Sequence, residues 1–142
     1  MVDELFGEGE HFSRMVINST FTAAKEPMDA ILSAIRTQGF SEDAIFAIRL
    51  GMEEAMTNAI KHGNKSDPGK RVTVYSDINR QRAIIILADE GTGFCPDDVP
   101  DCTSETRISR PDGRGIMLMR AYLDEVAFSR KGDAVRLVKV NK

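Results

Sequence analysis

Apolar side chains recur along the chain at two spacings, one typical of helices and one typical of strands. A first amphipathic helix is predicted between Pro27, in its first turn, and Gly39, at its end. Its apolar residues follow the i, i+3, i+4, i+7 spacing and are Met28, Ile31, Leu32 and Ile35. A longer helix is predicted over residues 42–61, with Ser41 as its N-cap. Its apolar stripe consists of Ile45, Ile48, Met52, Ala55 and Ala59.

The remaining periodic segments predict strands and one short helix. Strands are expected over residues 14–19, 71–77, 82–88, 125–129 and 135–140, and a helix over 116–122. Residues 82–88 are apolar on both faces, which favours a central strand. This order predicts an α+β two-layer sandwich, in which a mixed, mostly antiparallel sheet carries the helices on one face.

Length and composition indicate a single globular domain. The chain has 142 residues, of which 42% are hydrophobic and 29% charged, as in ordinary globular proteins. We expect the domain to span residues 14–142 and residues 1–13 to form a loose N-terminal tail. The longest apolar run, 83–88, is far too short for a membrane span, and the acidic N-terminus lacks a signal-peptide pattern, so a cytoplasmic protein is expected.

Charge and cysteine content exclude two further classes of function. A net charge of −3 argues against a protein that binds nucleic acid directly. Cys95 and Cys102 are the only cysteines, too few for a disulfide scaffold, and we expect reduced thiols in a loop. That loop, about 95–112, holds three prolines and little that is periodic, which favours a lid or binding loop over a disordered insertion.

The long predicted helix contains the segment EAMTNAIKHG, residues 54–63. Glu54, Asn58 and Lys61 are spaced i, i+4, i+7 and are therefore predicted to lie along one helix face. A carboxylate there can deprotonate a nucleophile, an amide oxygen can bind Mg²⁺, and an ammonium can meet a phosphate. Taken alone, the same three residues also describe an ordinary solvated helix face.

The segment LADEGTGF, residues 87–94, places an acid at the end of a buried strand. A buried carboxylate is costly unless it is paired, and Asp89 can accept a hydrogen bond from an exocyclic amine. Gly91 and Gly93 permit a close approach of the backbone to a flat ring. The alternative is a turn with hydrated acids, and Glu90 is expected to be a solvated neighbour.

The segment DGRGIM, residues 112–117, leads two glycines directly into a helix. Free backbone N–H groups at a helix N-terminus attract anions, so this loop is the candidate phosphate site. It matches neither the Rossmann nor the Walker pattern. A plain glycine-rich loop remains the alternative.

Together, and in this order, the three segments resemble the GHKL (Bergerat-fold) ATP-binding superfamily. EAMTNAIKHG looks like its N box, and DEGTGF and GRGIM look like its two glycine boxes. The resemblance to anti-sigma factor serine/threonine kinases is closer still, since residues 113–126 follow their GRGI-LMRAYLDEV pattern with one extra Met. It covers roughly residues 14–140.

The resemblance implies a role for each matching residue. Asp89 would bind the adenine amine with Gly91 and Gly93 near the ring, Asn58 would bind Mg²⁺, and Glu54 would be the catalytic base. Lys61 would lie near the phosphates, which would also receive N–H groups from Gly113, Arg114, Gly115 and Ile116. The Arg114 side chain can equally pair with an acid of the lid. Such kinases commonly carry a threonine near the start of the last strand, and residues 132–135 here contain none.

The resemblance implies ATP and Mg²⁺ as cofactors and a serine/threonine kinase of the anti-sigma type. Its protein substrate would be an anti-anti-sigma partner, a sigma factor would be a further partner, and relatives form homodimers. The alternative is an ATP-binding interaction module without kinase activity. A histidine kinase would need a separate helical hairpin with an acceptor histidine, which a chain of this length does not accommodate.

Overall fold

The computed structural model describes residues 2–91 and 113–142, so the predicted lid lies outside the described residues. Within these described residues the chain forms a short 3-10 helix, Val2–Leu5, followed by three α-helices and five strands. The helices are α1 (Phe21–Thr37), α2 (Glu42–Thr57) and α3 (Gly113–Tyr122), and α2 continues into a π-helical segment, Asn58–Gly63. The strands are β1 (Ser13–Asn18), β2 (Arg71–Ile78), β3 (Arg82–Asp89), β4 (Glu125–Phe128) and β5 (Ala134–Val140).

The five strands form one sheet in the order β1-β2-β3-β5-β4. The predicted α+β class is confirmed, and β3 is central, as its apolar character on both faces predicts. The sheet is simpler than the mixed one expected, because every strand pair among the described residues is antiparallel. In the β2–β3 register Val72 is opposite Asp89, which places the candidate acid at the end of the ladder.

The three helices cover one face of the sheet, where the main core lies. Alternate residues of the strands point toward the helices, and the predicted helix stripes meet them. The fully buried members include Ile35, Ile48, Met52, Val72, Ile85, Met119 and Leu137. The core therefore fixes α2 and α3 relative to β3 and β5, the elements that carry the candidate site.

The predicted helix signals are confirmed for α2 and partly wrong for α1. The Ser41 hydroxyl accepts a hydrogen bond from the Ala44 N–H at 3.1 Å, which caps α2. Gly39, at φ +81°, ends α1 as predicted. Pro27, however, lies in the second turn of α1, because Thr20, seven residues before it, caps the helix by accepting from the Ala23 N–H.

The N-terminal segment packs against the opposite face of the sheet and is not the loose tail that was expected. Leu5 is buried with Ile84, Ile86 and Ala134. The Arg136 guanidinium donates to both carboxylate oxygens of Glu10, at 2.6 and 2.7 Å. Among the described residues, none of the helices combines the length and apolarity needed to cross a bilayer.

Candidate functional site

The Asp89 carboxylate lies at the end of β3, half-buried between the π-helical segment and the β4–β5 turn. Its Oδ1 accepts a hydrogen bond from the Gly91 N–H at 2.8 Å. Burial raises the pKa of Asp89 to about 7; the Gly91 N–H opposes this rise, and the negative charge of Asp133 adds to it. Asp89 is thus a desolvated acid, and a further hydrogen-bond donor would stabilise its ionised form.

Two glycines close this site from the side of the helix. A Cβ on Gly63 would lie 2.2 Å from Oδ2 of Asp89, and a Cβ on Gly91 would lie 1.8 Å from the Gly63 carbonyl oxygen. Only hydrogen fits at either position. The backbone at the end of the π-helical segment therefore contacts both Asp89 and the turn that follows it.

A narrow cavity lies beside Asp89, with a volume of about 10 Å³. It is lined by Ala55, Asn58, Ala59, Leu87, Asp89, Phe128, Gly132, Ala134 and Val135. This volume holds about one water molecule, so a flat aromatic ring enters only when the walls separate. The lining is otherwise suited to such a ring, being apolar with one amide and one acid.

The β4–β5 turn is held by a serine hydroxyl, and its backbone contacts the end of β3. The Asp133 carbonyl accepts from the Asp89 N–H at 2.8 Å. The buried Ser129 hydroxyl donates to the Asp133 carboxylate at 2.9 Å and accepts from the Ala134 N–H at 3.1 Å. Ser129 therefore holds the turn in place, and its hydroxyl is engaged by Asp133 and Ala134 instead of the Asp89 carboxylate.

Asn58 begins the π-helical segment and is buried, with 8% of its surface exposed. Its amide nitrogen is the one buried side-chain polar atom among the described residues that lacks a hydrogen-bond partner. Such an atom is costly in a folded protein. The amide is thus free to meet a ligand at the wall of the cavity.

Glu54 lies one helical turn before Asn58 and reaches α3. A Cβ on Gly115 would lie 2.7 Å from Oε2 of Glu54, so the carboxylate packs against the first turn of α3. The free N–H groups of that turn belong to Gly113, Arg114, Gly115 and Ile116. The structure thus brings the predicted base to the predicted anion site.

Lys61 is exposed, whereas Asn58 is buried. The predicted common face fails here because residues 58–63 are π-helical, with wider turns than an α-helix. The Asn64 N–H donates to the Ala59 carbonyl at 2.8 Å, five residues back. Lys61 is therefore rotated away from the line joining Glu54 and Asn58.

The described residues do not include every predicted position. Gly93, Cys95, Cys102 and the lid at 95–112 lie outside them, as does the side chain of Arg114. No group of three or more acidic, histidine or cysteine side chains suited to a metal occurs in the part of the chain that the structure describes.

Asn64 and Glu90 are more important than the sequence indicated. The Asn64 side chain is fully buried and hydrogen-bonds three other residues, Ser19, Arg71 and Glu90. Glu90 was expected to be merely solvated, yet its Oε1 accepts from the Arg71 N–H at 2.6 Å. For Asn64, the sequence signal was that a polar residue directly follows Gly63, the glycine of the N box.

Comparison with known proteins assigns this chain to a family. The sequence profile of the histidine kinase-like ATPase domain matches residues 17–139. An anti-sigma F factor of Clostridium beijerinckii is 26% identical over 136 residues, which cover 92% of this chain and 84% of the relative. A serine-protein kinase RsbW of Bacillus licheniformis is 32% identical over 105 residues, 67% of this chain and 64% of the relative.

A solved structure shares the fold. The RsbU and RsbW domains of Rv1364c from Mycobacterium tuberculosis superpose with a TM-score of 0.58 at 13% identity. The match covers 93% of this chain and 32% of that one, so it supports the fold alone. The profile match spans nearly the whole domain, and the chain therefore belongs to the histidine kinase-like ATPase domain family of the GHKL superfamily, with anti-sigma kinases among its relatives.

Proposed function

We propose that this protein is an ATP-dependent serine/threonine protein kinase of the anti-sigma type. It would act as a homodimer, phosphorylate a serine on an anti-anti-sigma (STAS-like) partner and bind a sigma factor. The observation that carries the proposal is the packing of the Glu54 carboxylate against Gly115 in the first turn of α3. A candidate base there adjoins N–H groups suited to phosphate.

The nucleotide would lie between the π-helical segment, β3 and α3. Asp89 would accept a hydrogen bond from the adenine amine once the walls of the narrow cavity separate, with Gly91 and Gly93 beside the ring. Phosphate oxygens would receive the backbone N–H groups of Gly113, Arg114, Gly115 and Ile116. Lys61, which is exposed, would approach them from solvent.

The residues present fit a bound Mg²⁺. Mg²⁺ is commonly held by one or two protein oxygens together with phosphate oxygens, and the described residues offer no cage made of protein alone. The Asn58 amide is buried and its nitrogen unpartnered, so its oxygen would ligate the ion while its nitrogen donates to phosphate. When bound, the ion would neutralise charge on the phosphates.

Glu54 would act as the general base for the acceptor serine. As the serine oxygen bonds to the γ-phosphorus, its proton passes to the Glu54 carboxylate and the bond from the γ-phosphorus to the bridging oxygen of ADP breaks. Most of the acceleration would come from positioning and from stabilised charge. Because Glu54 is anchored in α2 by the core, this position needs no rearrangement of the sheet.

The base assignment is tested with Glu54→Gln, with Glu53→Gln as the matched control. Glu53 is the adjacent, exposed carboxylate and lines a groove between α1 and α2 instead of the site. With radiolabelled ATP, Mg²⁺ and a lysate of the source organism, Glu54→Gln should bind ATP normally but lose about 100-fold or more of serine labelling. Unchanged labelling by this variant would refute the assignment.

The second candidate is an ATP-binding regulatory module without kinase activity. It is favoured by the β4–β5 turn, where Ser129 holds Asp133 and no threonine supports Asp89. In that case the parent protein binds ATP, and neither it nor Glu53→Gln labels a partner serine. Serine labelling by the parent that disappears in Glu54→Gln favours the kinase.

A further inference from the structure

Asn64 joins three segments of the chain through one side chain. Its amide nitrogen donates to the Ser19 hydroxyl and to the Arg71 carbonyl, each at 3.0 Å. Its amide oxygen accepts from the Glu90 N–H at 2.8 Å. The Asn64 side chain is fully buried, the bond to Ser19 is buried, and the bonds to Arg71 and Glu90 are partly buried. Each donor and acceptor of the amide would therefore be costly to leave unpaired.

Three of these groups close a ring of hydrogen bonds, which we call the Asn64 ring: Asn64, Arg71 and Glu90. Asn64 donates to the Arg71 carbonyl, the Arg71 N–H donates to Oε1 of Glu90 at 2.6 Å, and the Glu90 N–H donates to Asn64. The ring replaces the strand pairing that ends where Val72 faces Asp89. It ties the start of β2 to the residue that directly follows Asp89.

The ring leads directly to the candidate adenine-binding acid. Glu90 lies between Asp89 and Gly91, and the Gly91 N–H donates to Asp89. Asn64 follows Gly63, whose Cα packs against the Asp89 carboxylate. The same residue therefore fixes both the helix end and the strand end between which Asp89 lies.

We propose that Asn64 is a positioning residue that holds the Asp89 carboxylate in place for the adenine amine; this rests on the nucleotide site of the proposed function. Only an amide provides two donors and an acceptor in this volume, because a carboxylate lacks the donors and an aliphatic side chain lacks both. Asn64 acts through the turn 89–91 and does not touch the nucleotide itself.

The first experiment compares Asn64→Ala with Ser19→Ala by ATP titration calorimetry, at a temperature where circular dichroism shows both to be folded. Ser19→Ala removes one bond of the same amide but none toward Asp89, so it should lower Tm and leave the Kd for ATP within about twofold. Asn64→Ala should weaken ATP binding about tenfold or more. Its pH midpoint of binding should fall, because a released Asp89 becomes better solvated.

A second pair avoids substitution in the interior. Glu90 is exposed, so Glu90→Ala should fold yet bind ATP a few-fold more weakly, because the Arg71 N–H loses its acceptor. Glu90→Gln keeps an acceptor oxygen without the charge and should restore binding. Rescue by glutamine supports a role for the ring, and equal weakening by both variants contradicts it.

The outcomes separate this inference from the proposed function. If the parent protein binds ATP while Asn64→Ala shows the parent's Kd and pH midpoint, the inference is wrong and the nucleotide site stands. If the parent shows no ATP binding at all, both are overturned.

Discussion

The Asp89 carboxylate lies where the chain leaves little room, between Gly63 and Gly91. The added Cβ positions, 2.2 Å from the carboxylate and 1.8 Å from a carbonyl oxygen, show that a methyl group at either glycine displaces the acid or the backbone. The close packing also removes water from Asp89 and thereby raises its pKa. The same close packing therefore causes both the lack of space and the raised pKa at Asp89.

ATP binding is expected to tighten as pH rises through neutrality. A donor such as the adenine amine favours ionised Asp89, whose pKa is about 7, so affinity should increase about tenfold between pH 6 and pH 8. The other charges that act on Asp89 are Asp133, which raises this pKa, and Lys70 and Lys131, which lower it. Calorimetric Kd values at several pH values test the slope.

Asp89→Asn is the control for the titration of ATP itself, because the asparagine side chain at position 89 does not ionise. A parent slope no steeper than that of Asp89→Asn would contradict the prediction.

Without nucleotide, the raised pKa of Asp89 makes the folded protein less stable as pH rises. Folded Asp89 holds its proton more tightly than unfolded Asp89, so its contribution to stability is lost as pH rises from 3.8 to about 7.

At the scale of elements, α2 and the π-helical segment form one continuous helix that carries three candidate groups. The helix changes from α-helical to π-helical geometry along this stretch. Glu54 and Asn58 keep the α-helical spacing predicted from the sequence, whereas Lys61 follows the π-helical turn and faces solvent. The wider turn also brings Gly63 and Asn64 against the end of β3. The irregular segment therefore joins the helix layer to the sheet at the site.

The cap of α2 has a measurable energetic role. Ser41→Ala removes the acceptor for the Ala44 N–H and should lower the free energy of unfolding by about 1 kcal/mol. Ser33→Ala, within α1 and exposed, is the matched control and should be neutral or slightly stabilising, since alanine favours helix. Urea unfolding compares the two, and equal effects would argue against a capping role.

At the scale of the whole molecule, both faces of the sheet are covered. The helices cover one face, and the N-terminal segment covers part of the other through Leu5 and the stacked rings of Phe6 and Phe12, whose centroids are 5.1 Å apart. The Arg136 guanidinium anchors this segment to the central part of the sheet through Glu10. We expect this segment to contribute to stability.

Glu10→Gln should lower the free energy of unfolding by about 1–3 kcal/mol at neutral pH, because a bidentate, charge-assisted contact is lost. Its hydrogen bonds with Arg136 hold the pKa of Glu10 below its usual value of 4.5. The contribution is therefore present above that value and is lost as pH falls through the lowered pKa. The exposed Glu8→Gln is the control for denaturant unfolding across this pH range, and a gap between the variants that does not shrink in acid would contradict the prediction.

The sequence by itself determined the elements whose signals are local. Periodic apolar stripes defined α1 and α2, the Ser41 cap and Gly39 set two of their ends, and the apolar run 82–88 marked the central strand. These signals are reliable because spacing decides which side chains share a face, whatever lies opposite. The positions of Glu54 and Asn58 followed from the same spacing.

Tertiary structure alone decided the features that depend on contacts between distant segments. Asn64 and Ser19 lie 45 residues apart, and Arg136 and Glu10 lie 126 apart, and no local pattern records such pairs. The exposure of Lys61 and the raised pKa of Asp89 likewise depend on which side chains are buried. The early start of α1, by contrast, follows from a local cap, the Thr20 side chain. Motifs and spacing selected the candidate residues of the site, whereas packing against neighbours decided their distances, their solvation and therefore their chemistry.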